Sequence, residues 1–216
     1  MSRLFDAVAD DYDLFFSERR DVFLSELAAI KGLALSGEGL DVGMGTGAFT
    51  RHLDNVVGVD ISRAMLLKSL PYGIRCAQAS AERLPFKDGS FGYVLMVTVL
   101  CFLEGPQGAI SEARRVLRPG GRLAICSIAR GSPWGERYEL KARSGHALYS
   151  HARLFTAEEV RHLMEGARLE VVESISTLHR HPDLPGQGAE PVLRDEKGSF
   201  FCVVARKSPK APAARP

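Results

Sequence analysis

The stretch GLDVGMGTGAFT at residues 39–50, followed by VVGVDIS at residues 56–62, decides the fold of this chain. The residues at 39–43 predict a buried strand that runs into a glycine-rich turn. A short helix should follow, and residues 55–60 predict a second buried strand that ends on a carboxylate, Asp60. Two such strands joined by a helix are typical of the start of a parallel sheet.

The glycine turn has the features of a nucleotide-binding turn. Gly43, Gly45 and Gly47 carry no β-carbon, so the backbone can turn sharply and approach a ligand closely. The helix after the turn presents free N–H groups and a partial positive charge to that ligand. Asp60, at the carboxyl end of the next strand, can accept hydrogen bonds from both hydroxyls of a ribose. The turn and the aspartate together predict an adenosine-containing ligand.

Composition and charge are those of one water-soluble domain. The chain has 216 residues, of which 45% are hydrophobic and 25% are charged. A formal charge of +2 gives no case for a nucleic-acid partner, and no apolar stretch is long enough for a membrane span. We therefore expect a cytoplasmic protein whose scattered cysteines are reduced and form no metal site. These cysteines are Cys76, Cys101, Cys126 and Cys202.

Alternating strands and helices along the chain predict an α/β fold, a single Rossmann-like doubly wound sheet of seven strands. The last two strands lack a long helix between them, so strand seven should run antiparallel to the others. We expect one domain at residues 1–206, with a helical cap at 1–35 and a long irregular, lid-like connection at 129–154. The Pro/Ala-rich residues 207–216 are expected to form a disordered tail.

The glycine turn also permits a second interpretation. GMGTGA at residues 43–48 fits the dinucleotide fingerprint when Ala48 takes the last place, and Asp60 falls near the expected acid. An NAD(P)-dependent oxidoreductase therefore stays open as an alternative. The chain length, which leaves no room for a substrate domain, and the closing strand pair both disfavour it.

Five segments in order carry a family resemblance: FDAVADDYD at 5–13, LDVGMGTG at 40–47, GVDIS with Met65 at 58–65, AERLPFKDGSF at 81–91 and EARRVLRPGGRL at 112–123. The chain resembles the class I S-adenosylmethionine-dependent methyltransferases, in the branch that includes the ubiquinone/menaquinone-biosynthesis C-methyltransferases. The resemblance implies a seven-stranded sheet with strand seven antiparallel. It also implies S-adenosylmethionine as cofactor, S-adenosylhomocysteine as product, and methyl transfer to a small-molecule acceptor.

The resemblance further implies where the cofactor would lie. Asp41 and the turn would lie under the methionine portion, and the turn residues concerned are Gly43, Met44, Gly45 and Gly47. Asp60 would hold the ribose hydroxyls, and Ile61 and Met65 would sandwich the adenine ring.

Three further residues, Ser80, Ala81 and Glu82, would border the adenine edge. The family commonly has an aspartate where this chain has Ser80. Thr98 would lie near the methionine amino group or the substrate. Tyr12, from the N-terminal helix, would close over the site.

Methyl transfer from a sulfonium is an in-line displacement of an already activated group, so it needs positioning and exclusion of water more than a fixed set of catalytic residues. A histidine could still act as a general base. Because no catalytic residue is required, a non-catalytic subunit that binds S-adenosylmethionine is a further alternative. Candidate substrate contacts in the roofing segments are Tyr12, Cys101, His146, Tyr149, His151, His179 and His181.

Overall fold

The computed structural model describes residues 1–184 and 188–209, which form a single seven-stranded sheet flanked by helices. The strands are β1 Gly39–Val42, β2 Val56–Asp60, β3 Arg75–Gln78, β4 Phe91–Val97, β5 Leu117–Ile128, β6 Leu169–Thr177 and β7 Phe200–Lys207. The α-helices are α1 Ser2–Val8, α2 Leu14–Glu18, α3 Arg20–Gly32, α4 Arg63–Ser69, α5 Pro106–Val116, α6 Pro133–Arg143 and α7 Ala157–Gly166.

The strand order is β3-β2-β1-β4-β5-β7-β6, and this order positions the site. β1 pairs in parallel with β2 on one side and with β4 on the other. The chain thus reverses its direction of travel across the sheet at β1, and such switch points open a crevice at the carboxyl ends of the strands. β7 runs antiparallel to both β5 and β6, which confirms the predicted Rossmann-like sheet with an antiparallel strand seven.

The core lies on both faces of the sheet because successive strand residues point in opposite directions. In β4, Val94 packs in a buried cluster with Ile110 of α5. Its neighbour Leu95 packs in a second cluster with Ile30 of α3. All four side chains are almost fully buried, as a doubly wound sheet requires.

The connection at 129–154 differs from the expected irregular segment. It contains α6, whose first turn is capped by the Ser132 hydroxyl accepting a 3.1 Å hydrogen bond from the Gly135 N–H, with Pro133 at the first helical position. Serine before proline is a normal helix start, so the local sequence did carry the signal. The predicted cap at 1–35 is likewise helical, but it is divided into the three helices α1 to α3.

The prediction of reduced cysteines is wrong for one pair. The antiparallel register of β5 and β7 sets Cys126 directly opposite Cys202, and the structure joins them in a disulfide with a Cα–Cα distance of 4.1 Å. Cys76 and Cys101 are free. The pair is 76 residues apart in sequence, so only the strand register brings the two sulfurs together.

The carboxyl-terminal strand β7 ends at Lys207, the first residue of the predicted tail. Residues 210–216 of that tail lie outside the described residues. Within the described part of the chain, no helix combines the length and apolar character that a membrane crossing demands.

Candidate active site

Two adjoining cavities open at the carboxyl ends of the central strands. The smaller cavity has a volume of about 250 Å³ and the larger cavity about 540 Å³. Tyr12, Thr98 and Phe102 line both of them. These three residues form a boundary that the two cavities share.

The smaller cavity collects most of the predicted site residues. Those that line it are Tyr12, Gly43, Gly45, Asp60, Ile61, Met65, Ser80, Ala81, Glu82 and Thr98. Asp41, Met44 and Gly47 do not line it. Met44 is buried against Gly58 of β2, and Asp41 is buried within β1.

The glycine turn requires glycine at the two positions that line the smaller cavity, Gly43 and Gly45. Gly43 has a φ of 72°, and a β-carbon built on it would collide with Val99. Gly45 has a φ of 57°, and a β-carbon there would stand 3.7 Å from the Tyr12 ring, in the space between the turn and that ring. The turn is therefore a bare backbone cradle that a ligand can approach closely.

Asp60 is held by the backbone on both carboxylate oxygens. Its Oδ2 accepts a 2.8 Å hydrogen bond from the Gly45 N–H, and its Oδ1 accepts one of 2.8 Å from the Ser62 N–H. Burial raises the pKa of Asp60, while these hydrogen bonds oppose the rise. Because each carboxylate oxygen has a second lone pair, both oxygens can still accept a hydrogen bond from a diol in the cavity.

Asp41, unlike Asp60, does not line the smaller cavity and has a structural role. Its carboxylate is buried and accepts a 2.6 Å hydrogen bond from the Thr50 hydroxyl, which ties the end of β1 to the short 3₁₀ helix Thr50–His52. Burial raises the pKa of Asp41 to about 7, and the negative charge of Asp60 contributes to the rise.

The N-terminal segment, residues 1–19, covers both cavities. The Ser62 hydroxyl donates a 2.6 Å hydrogen bond to Asp6, and the Thr46 hydroxyl donates one of 2.6 Å to Asp13. These bonds attach the segment to the start of α4 and to the glycine turn. No local sequence pattern predicts these bonds, because they join residues 33 and 56 positions apart.

Thr98 adopts a conformation that threonine rarely takes. It follows β4 with a φ of 53°, in the left-handed region that is costly for a β-branched residue. Its N–H donates a 2.8 Å hydrogen bond to the Cys126 carbonyl, and its own carbonyl accepts one of 3.2 Å from the Cys101 thiol. Strained residues cluster at functional sites, and this one lies between the two cavities.

The larger cavity has aromatic walls. They include Phe15, Phe16, Phe49, Phe102, Tyr138 and Tyr149. The rings of Tyr138 and Tyr149 lie 4.6 Å apart, and the ring of His146 lies 4.5 Å from that of Tyr149. Sequence reasoning identified Tyr149 and His146 as candidate substrate contacts, and both line this cavity. His151, His179 and His181 line neither cavity.

Two titratable groups lie deep in the larger cavity. Burial raises the pKa of the Cys101 thiol to about 12, which keeps it protonated and unreactive at neutral pH. Glu26 of α3 is 5% exposed, and burial raises its pKa to about 8. Sequence reasoning missed Glu26, since a glutamate within an amphipathic helix usually faces solvent. In residues 1–184 and 188–209, histidine, cysteine and acidic side chains form no metal-binding group of three or more.

Comparison with known proteins agrees with this geometry. A family model described as a methyltransferase domain matches residues 40–125. An uncharacterised protein of Methanocaldococcus jannaschii is 36% identical over 94% of this chain and 98% of its own length. A demethylmenaquinone methyltransferase of Tropheryma whipplei is 37% identical over 59% of this chain and 58% of its own length.

A solved structure from Thermotoga maritima is similar over the whole fold. It is described as an S-adenosylmethionine-dependent methyltransferase and possible histamine N-methyltransferase. It is 35% identical, covers 96% of this chain and 100% of its own, and superposes with a TM-score of 0.91. These relatives set aside the oxidoreductase and the non-catalytic subunit. The chain belongs to the class I S-adenosylmethionine-dependent methyltransferases, enzymes that take their methyl group from S-adenosylmethionine, and it resembles the ubiquinone/menaquinone-biosynthesis branch.

Proposed function

We propose that this enzyme transfers the methyl group of S-adenosylmethionine from the smaller cavity to a small-molecule acceptor held in the larger cavity. The observation that carries the proposal is that the two cavities meet at Tyr12, Thr98 and Phe102. One cavity has the diol acceptor Asp60, and the other has a broad aromatic wall. A donor and an acceptor lying on either side of that boundary would be close enough to react.

The smaller cavity fits the cofactor residue by residue. Asp60 would accept the two ribose hydroxyls, because both of its oxygens are fixed by backbone N–H groups. The adenine ring would pack between Ile61, which is 38% exposed, and the buried Met65. The adenine edge would meet Ser80, Ala81 and Glu82.

The methionine portion would lie on the bare backbone at Gly43 and Gly45. Asp41, Met44 and Gly47 would support that backbone from behind. Tyr12 would close over the cofactor, and burial raises the pKa of its phenol, so its hydroxyl stays protonated at neutral pH. Thr98 would complete the boundary on the acceptor side.

Bound S-adenosylmethionine supplies a sulfonium methyl group whose carbon–sulfur bond breaks as the acceptor bond forms, leaving the electron pair on sulfur. The chain contributes alignment and exclusion of water. The N-terminal segment closes both cavities from above, and the aromatic wall confines a small acceptor. Correct alignment of two reactants accounts for about 7–11 kcal/mol of a barrier in favourable cases, so no further catalytic group is required.

The test combines binding and turnover. Calorimetry with S-adenosylhomocysteine should show a dissociation constant on the order of micromolar, and Asp60→Ala should weaken it by about 10-fold or more, equivalent to about 1.4 kcal/mol. Radiolabelled S-adenosylmethionine should then label one class in a panel of amines, phenols, thiols and quinols.

Glu165→Gln is the matched control, because Glu165 is exposed on α7 and lines neither cavity. It should bind S-adenosylhomocysteine as the unmodified chain does. Binding of NADH in place of S-adenosylhomocysteine, or equal labelling with and without Asp60, would contradict the proposal.

A further inference from the structure

Glu26 is a buried acid in the larger cavity that the proposed chemistry does not use. It lies on α3, is 5% exposed and lines the cavity. Within the described residues, no hydrogen bond or ion pair engages its carboxylate. A buried carboxylate in this situation is costly unless it is protonated or a cation comes to it. In the free chain Glu26 is protonated at neutral pH, because burial raises its pKa to about 8.

The charged side chains around the larger cavity favour a cation over an anion. Three carboxylates line it, Asp11, Glu18 and Glu26, against one ammonium group, Lys141. That ammonium lies 5.4 Å from the centre of the Tyr149 ring and forms no ion pair with Glu26 in the described part of the chain. The cavity therefore has an excess of negative charge, and its most enclosed acid has no partner.

The aromatic wall adds a second attraction for positive charge. Tyr138, Tyr149 and Glu26 line the same cavity. Burial raises the pKa of both phenols, and the negative charge of Glu26 adds to the rise. Aromatic ring faces attract cations within about 6 Å. The ammonium group of Lys141 already makes such a contact with the same rings. Its Nζ lies 5.9 Å from the centre of the Tyr138 ring and 5.4 Å from that of Tyr149.

We propose that the acceptor is a compact amine whose protonated nitrogen pairs with Glu26 among these rings and anchors the molecule. The protonated nitrogen has no free electron pair, so the methyl group goes to a second nucleophilic atom of the same acceptor. This proposal rests on the proposed function, because the larger cavity is an acceptor site only if the cofactor occupies the smaller one. In this role Glu26 holds the acceptor and takes no part in the bond changes at the methyl group. A neutral phenol or quinol would instead leave Glu26 protonated and would gain no charge pairing from it.

Trp134 is buried next to Tyr138 of the cavity wall and provides a fluorescence signal for binding. It is the single tryptophan of the chain, and its ring lies 6.1 Å from that of Tyr138 in the cavity wall. The protein saturated with S-adenosylhomocysteine is titrated with benzylamine, 2-phenylethylamine and 3-phenylpropylamine, and with the corresponding neutral alcohols. At least one amine should change the fluorescence and bind about 10-fold or more tightly than its alcohol, the effect expected for pairing with a buried charge.

Substitutions at Glu26 then test whether this residue causes the preference for amines over alcohols. Glu26→Gln keeps the shape without the charge and should bring amine and alcohol to equal affinity. Glu26→Asp keeps the charge on a shorter side chain and should retain a weaker preference for the amine. Glu165→Gln should retain the full preference, since that residue is remote from the cavity.

The outcomes separate the two proposals. If S-adenosylhomocysteine binds but no amine of the series binds, or if alcohols bind as tightly as amines, the assignment of the acceptor is overturned and the methyltransferase function stands. An amine preference that survives Glu26→Gln also overturns the role of Glu26. If S-adenosylhomocysteine fails to bind by calorimetry, the proposed function itself fails.

Discussion

The hydroxyl of Thr46 donates a 2.6 Å hydrogen bond to the carboxylate of Asp13, and this bond joins the glycine turn to the segment that covers both cavities. Thr46 is almost fully buried, so its hydroxyl has lost water as an alternative partner. The bond therefore connects the turn, where the cofactor is proposed to lie, to the N-terminal segment.

Loss of this bond should make the cofactor product leave faster. Hydrogen bonds to charged groups contribute about 1.5–3 kcal/mol, so Asp13→Asn should speed dissociation of S-adenosylhomocysteine by about 3-fold or more, measured by stopped-flow. The control is Asp10→Asn, which removes a solvent-exposed ion pair with Lys68 that also anchors the segment. Solvent-exposed ion pairs contribute little to stability. S-adenosylhomocysteine should therefore leave this variant at the same rate as it leaves the unmodified chain. Equal rates in the two variants would contradict the special role of Asp13.

Gly43 should tolerate no side chain. Gly43→Ala forces a β-carbon against Val99 at a φ of 72°, and the left-handed conformation alone costs an L-residue about 1–2 kcal/mol. Urea unfolding should show at least this loss, and calorimetry should show weaker binding of S-adenosylhomocysteine. Gly32→Ala is the control, because Gly32 is the last residue of α3 and has open space around it. Alanine there should raise the free energy of unfolding by up to about 1 kcal/mol.

Stability should fall as pH rises from about 5 to 8. The pKa of Glu26 is raised to about 8 and that of Asp41 to about 7, both above their values in the unfolded chain. The folded state therefore holds more protons than the unfolded state in this window, and raising the pH removes the advantage. At a pH below the pKa values of the unfolded chain, Glu26 and Asp41 are protonated in both the folded and the unfolded state. Their contribution to the free energy of unfolding is then fully present.

Urea unfolding between pH 5 and pH 8.5 checks this slope. Glu26→Gln should flatten it and be more stable than the unmodified chain at the alkaline end, because the amide carries no buried charge. Glu165→Gln should leave the slope as it was. An unchanged slope in Glu26→Gln would show that Glu26 does not titrate across this window.

We expect Thr98 to lower the stability of the fold while it supports methyl transfer. Thr98→Gly relieves the left-handed strain and should raise the free energy of unfolding by about 1 kcal/mol, while methyl transfer slows because the boundary between the cavities loses its side chain. The control is Asn55→Gly, at an exposed position with a φ of 54° outside both cavities. It should leave turnover unchanged. Turnover that stays at its original level in Thr98→Gly would remove Thr98 from the site.

Local patterns were enough to predict the frame of this fold. The apolar runs at 39–43 and 55–60 predict β1 and β2 to within one residue of their observed bounds, Gly39–Val42 and Val56–Asp60. Each of these signals comes from residues within a few positions of one another. Asp60 could be placed at the sheet edge for the same reason, since it ends a recognisable strand.

The features that escaped prediction depend on residues distant in sequence. The Cys126–Cys202 disulfide depends on which residues β5 and β7 set opposite each other. Glu26 becomes a cavity residue only when α6 and the N-terminal segment pack around α3. The Thr46–Asp13 bond likewise requires the N-terminal segment to fold back over the turn, which no local pattern encodes.

The two cavities share Tyr12, Thr98 and Phe102 but otherwise draw their walls largely from different parts of the chain. The turns that follow the central strands build the smaller cavity, whereas α2, α3, α6 and Tyr149 supply much of the larger one. Substitutions in those helices can reshape one chamber without disturbing the other. Changes in those helices can thus alter the proposed acceptor cavity while the residues proposed to hold S-adenosylmethionine stay the same.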